Sequence, residues 1–206
     1  MFYAFVILGA LFFAGAAFLG IILGEEFATR ITPLEGGPPP HGGPVAVLLA
    51  VAAAIGGFLF WQHVPISEVT MIGIVCVALS AIYVTDARRG IVPDVFSLGP
   101  LAIILLVALW RHEWQFFIAA AVPFAPFAFA AVRSKGRGMG WGDAKLVALG
   151  GAVLGMQLAI VACIAACLAA IAINYSRGHK RGVFAFAPYL TAAIALAIPL
   201  GILSTR

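Results

Sequence analysis

Asp86, in the segment TDARRGIVPD, and Asp143, in GMGWGDAKL, are the two acids of this sequence whose surroundings best suit chemistry. Carboxylates held close together cannot both ionise easily, so such a pair shares one proton and titrates as a unit. The ionised member can take a proton from water as the water attacks a carbonyl carbon. The protonated member can hydrogen-bond the carbonyl oxygen as charge develops there. This is acid–base hydrolysis that calls on no metal and no organic cofactor, and it requires the two segments to converge.

The other acids read more simply. Glu25, Glu26 and Glu35 fall at or beyond the inner end of a first helix, and Glu68 and Glu113 fall in outer connections, where all five can be hydrated. Asp94 follows Pro93 and precedes an apolar run, a place where a carboxylate can cap free helix amides. Asp143 follows Gly138, Gly140 and Gly142, whose missing side chains leave room for another backbone to approach. A phosphate-cradling loop is excluded there, because GxxxxGK[ST] is absent and an acid stands where phosphate would be repelled. Lys145, two residues past Asp143, points away from it on a continuous helix and reads as an anchor at the inner membrane face.

The elements that must position these residues are apolar. The 206 residues are 64% hydrophobic and 10% charged, with mean hydropathy +1.12, which places the chain outside the soluble classes. Runs long enough to cross a bilayer occupy about 2–24, 45–62, 66–84, 95–110 and 114–132. The run from Leu146 to about Asn174 is too long for one crossing and is interrupted by Gly150, Gly151 and Gly155, so it divides into two helices. A last span at about 184–203 makes eight, in an all-α polytopic membrane bundle. The first run lacks a basic n-region and reads as a retained helix.

Basic residues test that count, since they favour the cytoplasmic side of short loops. Eight spans put Arg30, Arg88, Arg89, Arg133, Lys135, Arg137, Lys145, Arg177, Lys180 and Arg181 on one side, against Arg111 and Arg206 on the other. Both termini then face outward, and the segments of Asp86 and Asp143 face the cytoplasm together. The net charge of +4 is therefore topological, and nucleic acid is not an expected partner. Lipid is; Arg88 and Arg89 could also contact head groups or tune Asp86. Cys76, Cys163 and Cys167 sit in apolar runs as small hydrophobes, and His41, His63, His112 and His179 are scattered, so no metal site is expected. The stretch EGGPPPHGGP at 35–44 reads as a flexible loop.

The residues resemble the type IV prepilin peptidases, membrane aspartyl proteases of the GxGD class. One pattern fits Asp86, Val92, Pro93 and Asp94, and a second fits Gly140, Trp141, Gly142, Asp143 and Lys145. A weaker third covers RGVFAFAPYL, keeping Pro188 while Phe184, Ala185 and Ala187 depart. The resemblance spans about 66–203. It implies that Asp86 and Asp143 are the catalytic pair, with Gly140, Gly142, Lys145, Pro93 and Asp94 in support. It also implies that the substrate is a prepilin or pseudopilin precursor, cut after its short basic leader at the cytoplasmic face of a prokaryotic inner membrane.

Longer family members also methylate the product and carry paired C-x-x-C motifs for zinc. This chain lacks both pairs, so peptidase activity without zinc is expected, with methylation left to a separate protein or absent. The chain reads as one membrane domain, with N-terminal helices and a shortened loop over 1–65 and a peptidase core over 66–206. Two other classes fit paired membrane acids: a presenilin-like intramembrane protease, and an ion-coupled transporter, which would hold its acids near midplane.

Overall fold

The computed structural model describes residues 2–30, 43–134, 139–176 and 186–204. Eight helices account for nearly all of them: α1 (Phe2–Arg30), α2 (Gly43–Trp61), α3 (Ile66–Arg89), α4 (Asp94–Trp110), α5 (Gln115–Arg133), α6 (Trp141–Leu154), α7 (Met156–Ser176) and α8 (Ala187–Ser204). No strand occurs among the described residues. The helices carry exposed Phe5, Leu11, Leu106, Ile164, Ile171 and Leu196, apolar surface on a scale that water would not tolerate. Four of the helices, α1, α3, α5 and α7, are long and apolar enough to cross a membrane. The apolar helices α2, α4 and α8 are shorter, and α6 has 14 residues, so length and hydropathy support four crossings where eight were expected.

Close glycine contacts set the directions of the helices. Gly73 of α3 lies against Phe12 of α1, Gly20 against the Val77 carbonyl and Gly24 against that of Ala81, so α1 and α3 run the same way. Gly151 near the end of α6 meets Ala119 near the start of α5, which makes that pair antiparallel. The long apolar run after Asp143 does break in two: Gly155 takes φ 77°, open to glycine at little cost, between α6 and α7. Leu158, early in α7, then packs on Gly201, late in α8, while Gly150 of α6 meets Ile194 of α8. The C-terminal end of α3, the N-terminal ends of α4 and α6 and the start of α8 thereby share one end of the bundle.

The core lies where α3, α6 and α8 meet. Ile82, Leu146, Leu149, Leu190 and Ile194 are fully buried there, while Phe13 and Leu59 fill the contact of α1 and α2. α3 runs to Arg89, five residues beyond the end read from hydropathy, because burial of Thr85 and Asp86 and the left-handed cap at Gly90 (φ 65°) carry its last turn. α1 likewise continues to Arg30, with Arg30 paired to Glu26 one turn earlier. Residues 35–42 of the glycine- and proline-rich stretch, with His41, lie outside the described residues. So do Lys135, Arg137, Gly138, Arg177, His179, Lys180, Arg181, Phe184, Ala185 and Arg206.

Candidate active site

Asp86 sits in the last turn of α3 and is only 6% exposed. Its own carbonyl accepts the Gly90 N–H at 2.8 Å, which ends the helix and turns the chain toward Pro93 and α4. The backbone N–H of Ala187, the first residue of α8, interacts with the Asp86 carboxylate. This donor comes from a helix N-terminus, where amides are free of intrahelical partners. Oδ2 of Asp86 is buried with no hydrogen-bond partner. A buried, unpartnered carboxylate oxygen is costly, and such atoms are few in folded chains.

Asp143 is the third residue of α6, ahead of the apolar run that begins at Leu146. Gly140 is the N-cap residue, and the Asp143 side chain folds back over it to accept its backbone N–H. This is the return half of a capping box, with Asp at the N3 position. Gly140 itself is placed tightly, since a Cβ there would lie 3.2 Å from Asp143 Oδ2. Burial pushes the Asp143 carboxyl up from the ordinary carboxylate value to about 6, and the Gly140 N–H opposes the rise.

The two segments converge. Asp143 acts electrostatically on Asp86, so the two carboxyls lie within range of one another at the end of the bundle that α3, α4, α6 and α8 share. The contact that permits this is Gly142, where a Cβ would stand 2.6 Å from the Cβ of Val92 in the α3–α4 connection. Any side chain at 142 would push the start of α6 away from that connection. Lys145 then closes the junction from the solvent side, with Nζ 2.6 Å from Asp94 Oδ1.

Two sequence readings are revised by this geometry. Asp94 makes no capping hydrogen bond; it is the first residue of α4, after the N-cap Pro93, and its carboxylate is drawn to Lys145 instead. Glu25 pairs with Arg88 across α1 and α3, while Arg89 Nε donates to the Ala28 carbonyl at 2.9 Å. The inner end of α1 is thus fastened to the helix turn that carries Asp86. Pro93 is buried beside the site, as the helix N-cap.

Sequence reasoning did not find the Ala187 amide, because a backbone donor has no residue signature; the one signal was Pro188, which marks a helix start. Cys163 and Cys167 lie away from the site, lining an apolar cavity of about 340 Å³ with Pro123, Pro126, Phe127 and Ile164. Among the described residues, no group of three or more His, Cys, Asp and Glu side chains could hold a metal ion.

No curated protein and no solved structure matches the chain. Residues 73–174, which begin inside α3, end inside α7 and contain Asp86, Asp94, Asp143 and Lys145, match the model of the type IV leader peptidase family, and the chain is a type IV prepilin peptidase-like protein.

Proposed function

We propose that the protein is a membrane aspartyl endopeptidase that removes the short basic leader of type IV prepilin or pseudopilin precursors, with Asp86 and Asp143 as its catalytic pair. The observation that carries this reading is the approach of a buried and a half-buried acid, from segments 57 positions apart, at one end of an apolar bundle. Family membership supports the reaction class.

In this reading one carboxylate takes a proton from water while the water oxygen bonds to the scissile carbonyl carbon. The other carboxyl hydrogen-bonds the carbonyl oxygen as it gains negative charge. Collapse of the tetrahedral species breaks the C–N bond, and the proton held by the first carboxyl passes to the departing amine. The pair ends with the single proton it began with. Gly142 sets the approach of the two segments, and the Gly140 and Ala187 amides hold the carboxylates in orientation.

Depth supports a leader peptidase over the alternatives. Asp86 lies three residues before the end of α3 and Asp143 two after the start of α6. A prepilin presents its cleavage site at that level, between a basic leader and a membrane helix. An intramembrane protease or carrier would want its acids nearer midplane. Arg30, Arg88, Arg89, Arg133 and Lys145 all fall at the site end, which favours a cytoplasmic site in an inner membrane crossed by all eight helices, with both termini outside.

The test is cleavage of a prepilin-like precursor by the protein in lipid vesicles, read by the N-terminus of the product. A second precursor carries the same junction moved four residues into its apolar helix. Cleavage of the first and not the second is expected. Equal cleavage of the buried junction would favour intramembrane proteolysis, and cleavage of neither would overturn the peptidase assignment.

A further inference from the structure

The ion pair between Lys145 and Asp94 joins residues 51 positions apart, one on each of the segments that carry the aspartates. Its two side chains differ in setting: Lys145 is 25% exposed, with its stem against the bundle, and Asp94 is 62% exposed. A free lysine at a membrane surface would turn its ammonium outward to water and head groups. Here the ammonium reaches across the α4–α6 contact to a single carboxylate. Two residues before Lys145, Asp143 stands in the same helix turn as Gly142, which packs against Val92, two residues before Asp94. Pair and glycine contact therefore bracket Asp143 between two points of attachment to the α3–α4 connection, one by close packing and one by charge.

We propose that Lys145 and Asp94 form a positioning tie that holds the start of α6 against the α3–α4 connection, and so sets the placement of Asp143 relative to Asp86. This rests on the two-aspartate reading above. Neither residue touches substrate in this account. The tie acts by limiting how far the first turn of α6 can drift, and a drift of about 1 Å in a catalytic group can cost up to roughly 100-fold in rate. Because exposed ion pairs are weak, part of that constraint remains when the tie is cut. Removal of either partner is therefore expected to lower kcat by about 10-fold and leave KM unchanged.

The experiment uses full-length protein in detergent micelles, as wild type, Lys145→Met, Asp94→Asn and the double variant. Two readouts are taken: kcat and KM on a prepilin-like precursor, and amide hydrogen exchange over residues 141–144. The tie predicts faster exchange at those amides in both single variants, and a double variant no worse than either single in exchange or in kcat. Unchanged exchange in the single variants, or losses that multiply in the double, would overturn it. A rise in KM with kcat intact would also overturn it, assigning Asp94 to recognition of the basic leader. If wild type cleaves no precursor, the peptidase reading fails while the exchange arm still decides the tie.

Discussion

The two ends of the bundle carry acids in very different states. At the far end, the connections at residues 62–65 and 111–114 are closed by backbone geometry: His63 and His112 take φ 51° and 59°, and the Glu113 N–H donates to the Ala108 carbonyl at 2.8 Å. Glu68 lies exposed in the first turn of α3, where a negative charge is favoured. These acids decorate turns. At the site end, Asp86 is buried and Asp143 half-buried within electrostatic range of it, and Glu25 and Asp94 pair with Arg88 and Lys145 beside them. A membrane bundle has water at both ends, so an acid buried at the site end carries a cost that supports the proposal of chemistry there.

The largest effect that separates the ends is loss of either aspartate. Asp86→Asn or Asp143→Asn should lower precursor cleavage by about 10³-fold or more, since residues that act as a unit fail together. Glu68→Gln and Glu113→Gln, assayed alongside, should stay within about 2-fold of wild type. A far-end variant that lost activity comparably would erase the distinction.

Next comes Gly142→Ala. The added Cβ would meet Val92 at 2.6 Å, and relief requires the start of α6 to shift. Overpacking of this kind costs about 1–3 kcal/mol and here also separates the aspartates. The variant should melt below wild type and cleave at least about 10-fold more slowly. Val92→Ala in the same background vacates the clash and should recover part of the rate.

Asp143 also has a predicted signature in stability. Its folded carboxyl is raised to about 6, so the folded state holds its proton more tightly than the unfolded chain does. The benefit of that proton is fully present below the ordinary carboxylate range and is lost as pH climbs through about 6. Asp143→Asn removes the penalty of burying the charge, so in a scan of roughly pH 4 to 8 it should melt above wild type at about pH 7 to 8. The gap should close toward pH 4. A gap that instead widens on acidification would mean that Asp143 is stabilised as an anion.

The smallest effect is expected at the α1 latch. Glu25→Gln breaks the ion pair to Arg88 while Arg89 still holds the Ala28 carbonyl, so activity should fall by no more than about 3-fold. Such a loss would extend the site's support to a helix that precedes the matched segment 73–174.

Much of this arrangement was legible in the sequence because it follows from composition and punctuation. Hydropathy runs located all eight helices to within a few residues at most ends, and Gly155 marked the break between α6 and α7. Asp86 and Asp143 stood out because an apolar chain keeps few acids. Asp94 was misread because a Pro–Asp pair before an apolar run is also how a capped helix begins, and local sequence carries no sign of a lysine 51 residues away. Helix ends at Arg30 and Arg89 were missed for a related reason: hydropathy ends where charge begins, whereas α1 and α3 continue through charged residues that pair with one another. The Ala187 donor was invisible, being backbone.

The central claim is that Asp86 and Asp143 work as one unit. The most direct test compares cleavage of a prepilin-like precursor by wild type, Asp86→Asn, Asp143→Asn and the double variant, each first confirmed to be folded by its melting profile. The account predicts that both single variants lose nearly all activity and that the double variant is no worse than either. Normal cleavage by a folded single variant, or losses that multiply in the double, would contradict it.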